Sequence, residues 1–137
     1  MSKQVYINLP VKDLTKSTEF YIALGFTKNE DWSNDDASCM IFSEHIYVML
    51  LTHEFYSKFT TKLIPDLTQN SAALIALSMD SREEVQQFAD IAKSSGGSYF
   101  EAEPNKGLDF MFGLEVTDLD GHTIEPFFMD VSKLPTA

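Results

Sequence analysis

Glu125 is the side chain in this sequence best placed to do chemistry. It alternates with Thr123 and Phe127 in a strand-like run, so the three share one sheet face. A carboxylate set between an apolar strand and a phenylalanine loses solvation. That raises its pKa and suits it to general-base work. The same placement equally suits an acid that only recognises a ligand. The other reactive types are scattered. His45, His53 and His122 sit at turns or strand ends, far apart, and read as surface residues rather than a metal cage. Cys39 is the only cysteine, which excludes an intrachain disulfide and a Cys-rich zinc site. Between Ser38 and Met40 it reads as a small buried hydrophobe. Arg82 is the only arginine, so a clamp for a polyanionic substrate is poorly provided for.

Aromatic side chains are better supplied. Tyr6, Phe110, Phe112 and Phe127 lie on or beside strand-like runs. Since successive strand residues face opposite ways, part of this set packs against helices and part lines the other face. Trp32, next to the acidic Asp35-Asp36, is a candidate lid. Glu101, Glu103, Pro104 and Gly107 make a second candidate mobile loop.

The elements that must hold these residues come in two similar sets. Val5–Pro10 is a strand pattern. Asp13 offers a helix N-cap, Phe20, Tyr21 and Leu24 follow at helical spacing, and Gly25 stops the helix. In the second half Ala72–Met79 is an apolar strand. Ser81 and Glu84 form a capping box, and Val85, Phe88, Ala89 and Ala92 give the helix its buried stripe before Gly96-Gly97. Shifting the chain by half its length lays Leu9 on Leu77, Val11 on Met79 and Phe20 on Phe88. Strand signals follow in each half. They are Phe26–Asp31, Ala37–Phe42 and Ile46–Thr52, then Ser98–Glu101, Phe110–Thr117 and His122–Phe128. Ser43-Glu44-His45 and Asp118-Leu119-Asp120-Gly121 are the hairpin turns. Between the halves, Phe55, Tyr56, Phe59 and Leu63 are expected to line one side of a short helix before Pro65.

The 137 residues are read as one domain, 1–137, with module one at 1–68 and module two at 69–137. A hydrophobic fraction of 44% with 11 Phe supports a real core and excludes wholesale disorder. The net charge of −11 argues against nucleic acid and against an anionic membrane surface. That charge is uneven. Residues 1–68 carry 6 basic and 9 acidic side chains, while 69–137 carry 4 and 12. No apolar run approaches the ~20 residues that span a bilayer, and no signal peptide is evident, so a soluble cytoplasmic protein is expected.

Asn8-Leu9-Pro10-Val11-Lys12-Asp13-Leu14, with Phe20-Tyr21 and Leu24-Gly25-Phe26, resembles the opening of the vicinal oxygen chelate superfamily of glyoxalases, bleomycin-resistance proteins and extradiol dioxygenases. Asp118-Leu119-Asp120-Gly121-His122-x-Ile124-Glu125 is similar to its Asp-Pro-Asp-Gly-x-x-x-Glu signature, with Leu119 in place of Pro. The resemblance covers nearly the whole chain. It implies an α+β fold of two βαβββ modules whose curved mixed sheets surround a cleft, and a homodimer. In the family's metalloenzymes, His or Gln, Glu, His and Glu on the cleft strands hold a divalent metal that polarises two adjacent substrate oxygens. Those positions fall here on Tyr6 (with Asn8 on the same face), Leu50, Leu74 and Glu125. Three of the four are non-ligating or weak.

Two functions remain open at this point. The first is metal-independent binding of a small neutral or cationic organic ligand, with no cofactor. Tyr6, Asn8, Trp32, Leu50, Leu74, Phe110, Phe112 and Phe127 would line the site and Glu125 would supply the acid. The second is a divergent lyase, isomerase or dioxygenase that uses Glu125 with a divalent metal.

Overall fold

The computed structural model describes residues 2–134 and divides into two compact units, 1–70 and 71–137. The first runs β1 (Val5–Val11), α1 (Leu14–Ala23), β2 (Thr27–Asn29), β3 (Ala37–Ile41), β4 (Ile46–Thr52) and the single helical turn α2 (His53–Tyr56). The second runs β5 (Leu74–Ser78), α3 (Arg82–Ser94), β6 (Ser98–Phe100), β7 (Met111–Gly113), β8 (Glu115–Thr117) and β9 (Thr123–Met129). The sheets have one topology, β1-β4-β3-β2 and β5-β9-β8-β6, each with a single parallel pair between its first and last strands. This is the expected α+β plan of two βαβββ modules.

The duplication extends to the caps. Asp13 Oδ1 accepts from Lys16 N at 3.0 Å and Ser81 Oγ accepts from Glu84 N at 3.1 Å, and the two caps lie at the same half-chain shift as the core residues. Glu84 bends back to the backbone N–H of Asp80 at 3.0 Å, one residue beyond a strict capping box. Leu9, Val11 and Phe20 are buried in the first unit as Leu77, Met79 and Phe88 are in the second. Gly25 has φ +104°, a left-handed turn that costs a glycine little, and Phe26 N reaches back to Tyr21 O to close the helix.

In the first unit α1 covers one sheet face. Thr18 Oγ1 lies 2.7 Å from Ser38 Oγ, which fixes Ser38, and with it Met40, Val48 and Leu50, on the helix side. In the second unit α3 buries Val85, Phe88, Ala89 and Ala92, as its spacing predicts. The α3 side of that sheet carries Leu77, Val116 and Ile124, all buried.

Two segments differ from the sequence reading. The helix before Pro65 is only His53–Tyr56; Phe59 is 71% exposed and Leu63 94%, so they line no packed side. Four residues make a single turn, too short to propagate without tertiary support. The run Phe110–Thr117 is broken at Leu114, yet β7 and β8 keep the same register on β9. The cause is Pro126, opposite Leu114. Leu114 N donates to Pro126 O at 3.2 Å, but proline has no N–H to return the bond. No helix among the described residues is long and apolar enough to cross a membrane.

Candidate functional site

The sheet of the second unit has one face against α3 and one face away from it. Register fixes which side chains occupy the latter. Leu74, Ala76 and Ser78 on β5 pair with Thr123, Glu125 and Phe127 on β9, and Thr123 pairs with Thr117 on β8. Two residues before Thr117, on the same face, stands Glu115, so it falls opposite Glu125. On its other side Glu115 pairs with Phe100 of β6. A row Phe100, Glu115, Glu125, Ala76 therefore crosses the sheet. Thr117 and Thr123 flank the row on one side; Gly113 and Phe127, a register pair, flank it on the other.

Glu115 is buried, with 6% of its surface exposed, whereas Glu125 is half-buried. Loss of solvation, a hydrogen bond with the Glu125 side chain and the repulsion of its charge push the Glu115 carboxyl up to about 7. Two carboxylates side by side do not both ionise readily. The Glu115 carboxyl therefore holds its proton toward neutral pH, where it serves the hydrogen bond with Glu125. The pair leaves one group unsatisfied. Glu115 Oε2 is the only buried side-chain nitrogen or oxygen among the described residues without a hydrogen-bond partner. Native structures rarely leave a buried polar atom so. Gly113 belongs to the same architecture, because a Cβ there would stand 3.3 Å from Cβ of Phe127.

The other residues singled out in the sequence separate by face. Phe127 and Leu74 share the face of Glu125, and Leu74 is 64% exposed. Phe112 does not. It is one residue out of phase, pairs with Phe128, and lies under the Arg82 guanidinium, 5.8 Å from its ring centre. Phe110 precedes β7, half-buried, its carbonyl accepting from Asp130 N at 2.7 Å. In the first unit Tyr6 stacks on Tyr47, ring centres 4.4 Å apart, and Asn8 lies two residues on with its amide on Tyr6 O. Burial raises the Tyr6 phenol, with Tyr47 and Cys39 adding to it. Leu50 was expected beside Tyr6 and is instead on the opposite face. It is fully buried opposite Ser38, on the α1 side, because the strand alternation places Met49, the register partner of Asn8, with Tyr6. Trp32 ends a 3-10 turn, Glu30–Trp32, and is 65% exposed.

Cys39 is buried, as its neighbours implied. His45 is exposed and meets Glu44 of its own turn at 3.0 Å. His122 is buried at 7%, contrary to the surface position expected for it. The turn before it explains this: Asp118 Oδ1 accepts from Asp120 N at 3.0 Å and from His122 N at 2.9 Å, pulling the chain inward. That network gives the Asp-x-Asp-Gly motif a structural task, closing the β8–β9 hairpin. Glu115 was missed in the sequence, although the hairpin carries the signal for it. Closing the turn on Asp118 and His122 sets Glu115 opposite Glu125 by counting alone.

Among the described residues no three His, Cys, Asp or Glu side chains gather closely enough to hold a divalent metal. Two carboxyl groups, one of them buried, fall short of the three or four protein donors of a zinc-type site. The residues present do not fit the metal that the fold resemblance implies.

Comparison with known proteins places these features in context. The family model for the Glyoxalase/Bleomycin resistance protein/Dioxygenase superfamily matches residues 3–125. Among solved structures, a hypothetical protein from S. aureus is 26% identical, with TM-score 0.77 over 93% of this chain and 95% of that one. A glyoxalase/bleomycin resistance protein/dioxygenase family enzyme from Burkholderia phytofirmans is 15% identical, with TM-score 0.73 over 93% and 99%. A genomically encoded fosfomycin resistance protein from Listeria monocytogenes is 19% identical, with TM-score 0.66 over 100% and 96%. No curated protein matches the chain.

Proposed function

Because the chain belongs to the Glyoxalase/Bleomycin resistance protein/Dioxygenase superfamily, we propose that it uses the family's sheet face to bind a small neutral or cationic organic ligand without a metal. The observation that carries this is the row Phe100, Glu115, Glu125, Ala76, two carboxyl groups bounded by an aromatic and a small side chain. Phe127 and Leu74 extend the apolar surface beside it. Such a face offers hydrogen-bond acceptors and apolar area together, the usual composition of a small-molecule site. It is ill suited to anions. The second unit carries 12 acidic against 4 basic side chains, and its Arg82 is engaged with Asp109 O at 2.7 Å.

A lyase or isomerase reading is favoured by one feature. A carboxyl held near 7 is poised to give or take a proton at neutral pH. On that reading Glu125, the more accessible member, is the catalytic residue and Glu115 tunes it. Metal analysis after purification without chelator separates the readings that matter most. The binding reading expects no stoichiometric metal and saturable ligand binding that Glu125→Gln weakens. Stoichiometric divalent metal lost in Glu125→Ala sinks it. The homodimer that the family resemblance implies is part of the proposal; sedimentation showing only monomer contradicts that part.

A further inference from the structure

We infer that Asn105 is a ligand-contacting residue of the Glu125 face, and that the ligand it selects carries a carboxamide, with a C=O for the Asn105 N–H and an N–H for the Glu125 carboxyl. This rests on the binding reading above and narrows its ligand class.

The observation that carries this is the place of the Asn105 amide. A Cβ at Gly113 would meet Phe127 Cβ at 3.3 Å, the Met111 methyl at 3.4 Å and Asn105 Nδ2 at 3.5 Å. Gly113 and Phe127 are register partners, so the amide lies over the sheet on the face of Glu125, close to the backbone because Gly113 has no side chain. Asn105 is half-buried, and its amide bonds to no other group among the described residues. An amide offers both a donor and an acceptor, so this one is open to a ligand. The chain around it is held. Asn105 closes the 3-10 turn Glu103–Asn105, its N–H on Ala102 O at 3.0 Å and Lys106 N on Glu103 O at 3.2 Å. Further on, Arg82 donates to Asp109 O at 2.7 Å and Asp130 N to Phe110 O at 2.7 Å. A side chain presented by a pinned loop loses less freedom on binding.

Spacing selects the polar group of the ligand. Glu125 stands two residues before Phe127 on β9, about 7 Å along the strand. It is half-buried and within a ligand's reach, and the buried Glu115 need not be touched. A lone hydroxyl or ammonium serves Asn105 or Glu125, not both across that gap. A carboxamide serves both, because its oxygen and nitrogen sit on one carbon and a hydrogen bond of about 2.9 Å at each end bridges about 7 Å. A ketone satisfies Asn105 and offers Glu125 nothing. A carboxylate would meet Glu125 and a unit with 12 acidic against 4 basic side chains. The apolar body of the ligand has Phe127 and Met111 on the same face. Other polar clusters are already closed. The Tyr6 and Tyr47 hydroxyls are bonded through Gln4 and the Glu44 carbonyl. In the groove along α3, Gln86 and Asp90 are tied to Tyr99.

The test is a proton–nitrogen NMR titration of the full chain, labelled with nitrogen-15, using benzamide and acetophenone. The two probes share a shape, but acetophenone has a methyl in place of the amide NH2. Benzamide is expected to shift the Asn105 side-chain NH2 resonances to saturation. It should bind at least about five-fold more tightly than acetophenone, which is what one hydrogen bond contributes. Asn105→Asp, of the same shape but without the N–H, should weaken both probes by about five-fold or more. Asn105→Ala repeats that comparison without the added charge, and Glu125→Ala should weaken benzamide alone. The backbone spectrum of each variant confirms its fold. Acetophenone binding as tightly as benzamide overturns the carboxamide assignment. Asn105 NH2 resonances that do not move, or both Asn105 variants binding benzamide as the parent does, overturn the Asn105 contact. Either result leaves the ligand-binding reading standing. Benzamide failing to bind also overturns the inference, whereas the broader reading falls only to stoichiometric metal.

Discussion

Replacing Glu115 by glutamine should make the protein more stable at alkaline pH and leave it nearly unchanged in acid. The Glu115 carboxyl is held at about 7 against an ordinary 4.5. Its ionised form is therefore about 3 kcal/mol less favourable in the fold than in the unfolded chain. Below 4.5 the group is protonated in both states and the term is absent. Between 4.5 and 7 the unfolded chain releases the proton while the fold retains it. The unfolded state then binds fewer protons, so stability falls as pH rises, and the loss is complete above 7. Glutamine cannot ionise, and its amide N–H can donate to Glu125 in place of the acid hydroxyl. Urea unfolding near pH 5 and near pH 8 should show the parent losing about 2–3 kcal/mol that the variant does not lose. A variant whose stability tracks the parent at both pH values would refute the retained proton, because the carboxyl would then be ionising equally in both states.

Four further substitutions probe the placement of side chains. Leu50→Ala should cost about 2–5 kcal/mol in urea unfolding, since Leu50 is fully buried beneath α1, whereas Asn8→Ala on the other face should change little. A small cost at Leu50 would mean the face assignment is wrong. Ser81→Ala should lower stability by about 1 kcal/mol through loss of the α3 cap, with the binding face unaltered. Gly113→Ala forces a methyl to 3.3 Å from Cβ of Phe127 and should cost about 1–3 kcal/mol. Unchanged thermal unfolding in Gly113→Ala would show that β7 and β9 yield easily there.

Much of the fold is legible in the residues because local signals agree with one another. Asp13 and Ser81 cap where capping chemistry says they should, and the Val85, Phe88, Ala89, Ala92 stripe is buried as spacing requires. The duplication shows in the equivalence of Leu9 with Leu77 and Phe20 with Phe88. The failures lie where pairing between strands decides the outcome. Leu50 is placed by the parity of β4 against β1, and a one-residue error turns a core residue into a site residue. Phe112 is misplaced for the same reason on β7. Phe59 and Leu63 look like a helix face, but a run that never gains a packing partner stays a loop. Glu125 was recognisable from its own strand. Its partner Glu115 was not, because a cross-strand neighbour appears only once the hairpin register is fixed.

Carbon-13 NMR titration of the side-chain carboxyls tests the Glu115–Glu125 hydrogen bond most directly. Glu115 is expected to titrate at about 7, and Glu125→Gln to bring that midpoint down. Glu115 fully ionised well below neutral pH, in an ordinary carboxylate step, would contradict the shared hydrogen bond.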